Sequence, residues 1–158
     1  MTAPRPEVEI IPYEPRYRED FKRLNLVWLE AFFRVEPVDE EVLSHPEHYI
    51  LDPGGHILMA RAGNDIVGVC ALMPEGPGRF ELTKMAVDPA FQGAGLGRRL
   101  LEAAIQTFNA LDATELFLES SSKLVPAIRL YETSGFVHAP RPGASHYERA
   151  DVHMVYRG

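Results

Sequence analysis

The residues with the most chemical promise lie in one run, Gln92, Gly93, Ala94, Gly95, Leu96, Gly97 and Arg98, where three glycines alternate just before an amphipathic pattern. A glycine-rich turn that opens a helix gathers backbone N–H groups, and with the helix dipole these favour an anion such as phosphate. Side chains at those positions would obstruct the approach. Two phosphate fingerprints fail here. The dinucleotide pattern G-x-G-x-x-G would end on Arg98 if counted from Gly93 and on Leu100 if counted from Gly95, and no Gly-Lys-Ser/Thr is present to complete a P-loop. A glycine-rich turn that binds nothing stands beside the phosphate cradle as the alternative.

Other reactive residue types carry less. His45 and His48 flank Pro46 and Glu47, but no third or fourth ligand clusters nearby, so no metal is expected. Cys70 is the single cysteine and sits in the apolar run IVGVCALM, which reads as a buried, inert thiol. His138, His146 and His153 are spread over the last strands, with surface and substrate-rim roles both open.

The chain of 158 residues fits one domain, 1–158, with a single core. A net charge of −7 argues against nucleic acid as the main partner. No apolar run is long enough for a membrane span, and MTAPRPEVEI lacks a signal-peptide core. With one cysteine, these features fit a reduced cytoplasm.

The elements that must position the glycine run follow from periodicity. After a loose Pro-rich opening, VEIIPY reads as a strand, and Tyr17, Phe21, Leu24, Trp28 and Phe32 mark one helix face. A short helical piece should start after Val38. GHILMARAG and DIVGVCALM read as a hairpin turning at Gly63, Asn64 and Asp65, and a fourth strand runs from about Glu81 to Val87, ending at Asp88-Pro89. The spacing of Leu96, Leu100, Ala103, Ala104, Thr107 and Phe108 predicts a helix that begins close to Gly95 or Gly97. The strand ELFLES comes next, then the helix LVPAIRLYETSG with Gly135 as a left-handed cap, and FVHAP and HYERADVHMVY supply the final strands.

With these elements in place, LTKMAVDPAFQGAGLGRRLLEAA resembles the acetyl-CoA signature of the GNAT N-acetyltransferases, here through Gln92, Gly95 and Gly97. The downstream block LESSSKLVPAIRLYETSGF is similar to the family's strand and helix carrying A-I-x-L-Y-E followed by G-F. Together the blocks cover about Glu81 to Val137, in the family's order. The tail HYERADVHM is similar to a bacterial subset, some of which are fused to MarR-type regulators. The resemblance implies an α/β (α+β) fold: a mixed, mostly antiparallel sheet of about six to seven strands, with a splayed parallel pair formed by the fourth and fifth and with flanking helices. The pantetheine arm of acetyl-CoA would enter that splay. It implies cofactor contact at Met85 and Val87, pyrophosphate contact along Gln92, Gly93, Ala94, Gly95, Leu96 and Gly97, and Arg98 as a charge partner. Where related sequences often carry Asn this chain has Leu124, so Ser121 or Ser122 is expected to reach the pantetheine instead.

Acetyl transfer to an amine needs a base, because only the free amine attacks a thioester. Glu81, expected on the same strand face as Thr83 and Met85, is the candidate, and a solvated charge at a strand start is the competing reading. Tyr131 occupies the position of the family's tyrosine acid and would protonate the leaving thiolate; a core tyrosine is the alternative. The acidic residues Glu36, Asp39, Glu40 and Glu41 fall where the family lines its acceptor cleft, as a negative rim that favours a cationic amine or as a solvated loop. The expectation is an N-acetyltransferase that uses acetyl-CoA and no metal on a small-molecule or protein amine, with no nucleic-acid or membrane partner. A longer acyl-CoA, a non-catalytic acyl-CoA-binding module and a homodimer remain open.

Overall fold

The computed structural model describes residues 7–145 and 147–158, so the Pro-rich opening and His146 lie outside the described residues. Chain order is β1 (Val8–Pro12), α1 (Arg18–Phe32), α2 (Pro37–Ser44), β2 (His56–Ala62), β3 (Asp65–Pro74), β4 (Arg79–Val87), α3 (Leu96–Ala110), β5 (Glu115–Ser120), α4 (Val125–Thr133), β6 (Phe136–His138) and β7 (Val152–Tyr156). The strands form one seven-stranded sheet in the order β1-β2-β3-β4-β5-β7-β6. Every neighbouring pair is antiparallel except β4 and β5. Parallel neighbours need a crossover, and α3 supplies it.

Hydrophobic side chains on the two faces of the sheet build two layers of core. Leu96, Leu100, Leu101, Ala104 and Phe108 of α3 pack on one face against Cys70, Leu72, Leu82, Leu116 and Met154. Phe21, Leu24 and Leu29 of α1 and Val42 and Leu43 of α2 pack on the other, against Met59, Val69, Ala71 and Ala86. The buried stripe of α1 passes through Leu29, while Trp28 is half-buried and Phe32 is exposed. Cys70 is fully buried, and the burial pushes its thiol up to about 12.

Local chemistry sets the boundaries. The β2–β3 hairpin turns at Gly63 and Asn64, with Ala62 opposite Asp65 and Gly63 at φ +62°. Helix α2 begins at Pro37, ahead of its expected start, because proline suits the first helical position and the Glu36 N–H donates to Asp39 Oδ2 at 3.0 Å. Gly135 has φ +102° just past α4, as its capping role requires. The segment 147–151 does not join the last strand, which covers Val152–Tyr156 alone. Its backbone is satisfied elsewhere: the Glu148 N–H donates to Glu36 Oε1 at 2.9 Å and the Asp151 N–H to the Ser120 carbonyl at 3.0 Å. Residues 147–151 thus form a return loop.

Two irregularities in β4 matter most. Val69 faces Ala86 and Ala71 faces Thr83, so β4 carries one extra residue opposite Cys70. This is a β-bulge, and Lys84 within it has φ +55°, a left-handed backbone in a residue other than glycine. The bulge resets strand alternation. Leu82 points to the α3 layer, Ala86 to the α1–α2 layer, and Met85 and Val87 pack with the α3 layer. Glu81 and Met85 therefore lie on opposite faces, correcting the expectation that they share one. The second irregularity is on the other edge, where β4 and β5 pair only at Arg79–Glu115, Phe80–Leu116 and Glu81–Phe117 before they diverge.

Behind β3 and the π-helical turn Glu47–Leu51, Gly55 is closely enclosed. A Cβ there would collide with the carbonyl oxygens of Ile50 and Leu72 and lie 2.8 Å from Pro74 Cδ. Gly55→Ala should lower unfolding stability by roughly 1–3 kcal/mol, read as an earlier urea midpoint; an unchanged midpoint would contradict this packing.

Candidate active site

The divergence of β4 and β5 opens a cavity of about 520 Å³. At one end stand Phe91, Gln92, Gly93, Gly95 and the start of α3. Gly93 and Gly95 have φ +81° and +78°, and a Cβ on either would meet nothing within 4 Å, so backbone conformation rather than crowding demands glycine. Gly97 differs: its backbone is ordinary, and a Cβ would lie 3.7 Å from Leu130 of α4. Gly95 caps α3 without a side-chain hydrogen bond, and the first turn of α3 contains no acidic residue. The leading N–H groups of α3 lack intrahelical partners and the dipole is uncompensated there, as an anion site needs. Leu96, Gly97 and Arg98 reach the cavity wall, with Arg98 also donating to Thr133 Oγ1 at 3.1 Å. Ala94 is exposed and does not line the cavity.

The middle of the cavity runs along the free edge of β4. Asp88 donates its N–H to the Val67 carbonyl on β3 at 2.8 Å, so by strand alternation Val87 and Met85 turn their backbone groups to the opening. Both residues line the cavity. Across from them stand Ser121, Leu124 and Tyr131. Ser122 does not line it: its hydroxyl donates to Asp151 Oδ2 at 2.6 Å and its N–H to Oδ1 at 2.7 Å, anchoring the return loop. Leu124, where an asparagine was the family expectation, makes an apolar stretch of wall. Tyr131 is half-buried beside Phe136, and burial raises its phenol above its ordinary pKa, so the proton stays on at neutral pH.

Glu81 is not a solvated charge. It is 2% exposed, its Oε1 has no hydrogen-bond partner, and burial, reinforced by Glu75 and Glu119 against the opposing Lys84 and Arg149, pushes its pKa up to about 8. It sits behind the cavity wall, and Leu82, Thr83 and Lys84 form the adjoining surface.

Of the far end, only Asp39 was legible in the sequence, within the acidic stretch expected along the acceptor cleft. Trp28 and Phe33 from the α1 end, Asp39 from α2, Lys84 from the bulge and Tyr147 and Arg149 from the return loop close the cavity. Lys84 donates to Asp39 at 3.0 Å and to the Tyr147 hydroxyl at 3.2 Å. Arg149 makes a two-pronged contact with Asp39, 2.9 Å on each side, and reaches Glu36 at 2.7 Å. Burial opposes ionisation of Asp39, but Arg149 and Lys84 outweigh it and hold the carboxyl below its usual pKa. The acidic stretch thus divides between buried Glu36 and Asp39 and solvent-exposed Glu40 and Glu41 on α2. Glu36 and Asp39 are buried in ion pairs, Glu40 pairs with Lys22 at 2.9 Å, and Tyr49 donates to Glu41 at 2.9 Å.

No histidine among the described residues lines the cavity. His45 and His48 are exposed, and no group of three metal-ligating side chains occurs among the described residues. His138 contacts Glu132 at the surface, while His153 is buried under Phe117, which lowers its pKa.

One cavity thus joins a glycine-rich turn with free helix N–H groups, the unpaired edge of β4 and a far end that carries Asp39, Lys84 and Arg149. Residues 20–136 match the profile of the acetyltransferase (GNAT) family. The chain belongs to that family, which makes it an acyl-CoA-dependent N-acetyltransferase in general terms. It is 33% identical over 127 residues to an uncharacterized N-acetyltransferase of Schizosaccharomyces pombe, covering 77% of each protein. It is 32% identical over 133 residues to the N-acetylaspartate synthetase of Rattus norvegicus, covering 80% of this chain but 40% of that one. Among solved structures, a GNAT-family acetyltransferase from Staphylococcus aureus Mu50 shares the fold with a TM-score of 0.86 at 22% identity, over 95% of this chain and 98% of the other. A Bacillus subtilis acetyltransferase solved in complex with CoA has a TM-score of 0.72 at 20% identity, over 95% and 98%.

The raised pKa of Glu81 carries a stability consequence. Between the unfolded value near ~4.3 and about 8, the folded chain retains a proton that the unfolded chain has released. The stability this provides is complete below the unfolded value and is lost as pH rises, at up to about 1.4 kcal/mol per unit. Glu81→Gln keeps the shape without the ionisation, so its melting temperature relative to wild type should climb from pH 5 to pH 8. A difference that stays constant over that range would contradict the burial of an ionisable carboxyl.

Proposed function

We propose that residues 1–158 form one acetyltransferase domain that moves the acetyl group of acetyl-CoA directly to a primary amine. One observation carries this reading: β4 and β5 pair over three positions and then part, opening a continuous cavity from the glycine-rich turn to the pocket of Lys84 and Arg149. On this reading the pyrophosphate rests on the N–H groups from Gln92 to Gly97, with Arg98 nearby. The pantetheine lies along the free edge of β4, bonding Met85 and Val87, with Ser121 opposite.

The acceptor amine must lose a proton to attack. Glu81 is the base in this scheme, acting through a water because it does not itself line the cavity. Only its ionised form accepts the proton, and burial keeps that the minority form below about pH 8, so turnover should rise as pH approaches that value. Nitrogen attacks the thioester carbonyl, and negative charge gathers on oxygen in the tetrahedral intermediate. Beyond Glu81 the edge of β4 facing the opening has no strand partner, which supports a role for its N–H groups in stabilising that oxygen. As the C–S bond breaks, the Tyr131 hydroxyl gives its proton to the departing sulfur.

Wild type and Tyr131→Phe separate binding from chemistry when melted with acetyl-CoA and assayed on an amine panel. Both should be stabilised by acetyl-CoA, by about 2.7 kcal/mol at a hundredfold excess over the dissociation constant, with no comparable response to ATP or NAD. Turnover should fall at least roughly tenfold in the variant. Unchanged turnover would remove Tyr131 from the mechanism, and a fold indifferent to acetyl-CoA would end the proposal.

A further inference from the structure

Within the acetyl-transfer reading, on which this inference rests, the far end of the cavity discriminates among amines. Asp39 is the carboxylate that faces the cavity there, and it has no capacity left for a substrate ammonium. Its Oδ1 accepts from Lys84 at 3.0 Å and Arg149 Nη2 at 2.9 Å; its Oδ2 accepts from the Glu36 N–H at 3.0 Å and Arg149 Nη1 at 2.9 Å. Those four bonds match the acceptor sites of a carboxylate. Glu119, on the β5 side, takes the Ser145 hydroxyl at 2.5 Å and lies 3.5 Å from Arg141 Nε.

The cations are in the opposite condition. Three of the five N–H groups of Arg149 serve Asp39 and Glu36, which leaves Nε–H and one Nη2–H outside those bonds. Lys84 gives two of its three N–H bonds, to Asp39 and Tyr147. Both residues line the cavity, and their positions are fixed before any ligand arrives. The Tyr147 ring lies 4.5 Å from the Arg149 guanidinium carbon and 4.7 Å from Lys84 Nζ. Donors in surplus over acceptors, on charged groups in a partly dry site, select a ligand with anionic oxygens. Trp28 and Phe33 give the rest of this end an apolar surface.

We infer that the acceptor is a free amino acid, whose carboxylate is held by Arg149 and Lys84 so that the neighbouring amine points along the cavity toward the thioester. A protein N-terminus lacks that charge, since its first carboxyl is an amide, and a simple alkylamine lacks the oxygens altogether. The pocket would therefore reverse the cationic preference that the acidic composition of residues 36–41 suggests.

The test uses the full chain saturated with acetyl-CoA and compares each standard L-amino acid with its α-amide and its decarboxylated amine. Acetyl transfer is followed as release of the CoA thiol, and binding as added thermal stability. At least one free acid should exceed both of its partners by about tenfold or more in kcat/KM, and Arg149→Lys should raise its KM far more than it lowers kcat. If that variant fails to fold, the wild-type comparison stands alone. Amides or decarboxylated amines that match or exceed the acids overturn the inference, as does preference for an amine bearing phosphate in place of carboxylate. Silence of every acid while acetyl-CoA still stabilises the fold overturns it too and leaves the transferase reading intact. No response to acetyl-CoA itself would instead count against that reading.

Discussion

The bulge at Lys84 is the constraint on which the rest of this structure depends. A lysine at φ +55° costs on the order of 1–2 kcal/mol relative to ordinary strand backbone, and the extra residue reverses which side chains meet which layer of the core. Without it Met85 would join the α1–α2 side and Lys84 the α3 side. With it, apolar Met85 and Val87 pack with the α3 layer while the Lys84 ammonium reaches Asp39 on the other side. The strain thus persists because packing on one face and an ion pair on the other both require the same register.

Asp39 extends that constraint through the molecule. It is wholly buried, and it joins the start of α2, the bulge of β4 and the return loop before β7 through one set of charge-assisted bonds. A carboxylate so placed is tolerable because every oxygen lone pair has a donor; removing one cation would leave an uncompensated buried charge, typically a loss of 3–5 kcal/mol. The same bonds fix the far wall of the cavity. Order at the far end of the cavity and order in the fold are therefore one set of interactions. Glu81 contrasts with this, since it is buried without such partners and keeps its proton up to about pH 8.

Much of the fold was legible in the sequence because period-two and helical patterns are local. The hairpin at Gly63, the helix starting beside Gly95, the strand Glu115–Ser120 and the cap at Gly135 all appear where those patterns place them. The glycine run was legible for a related reason: positive φ at Gly93 and Gly95 is a demand that a single residue type answers. The bulge was not, since lysine carries no mark of a left-handed backbone, and strict alternation then assigned Met85 to the wrong face. Nor was the Asp39–Lys84–Tyr147–Arg149 cluster, whose members are distant in sequence and meet only through the topology. The sole local hint was the Glu36–Asp39 cap on α2. The segment 147–151 was read as strand yet loops, because its backbone N–H groups find partners on Glu36 and Ser120 rather than on a ladder.

The central claim is that the parted edge of β4 and the turn before α3 together hold CoA, and amide-resolved NMR of the isotope-labelled protein during CoA addition tests it most directly. The account predicts that the largest shifts fall on Met85, Val87 and Gly93 to Arg98, with Tyr131 responding from across the cavity. Shifts confined to other surfaces, with the β4 edge and the glycine turn unmoved at saturation, would contradict it.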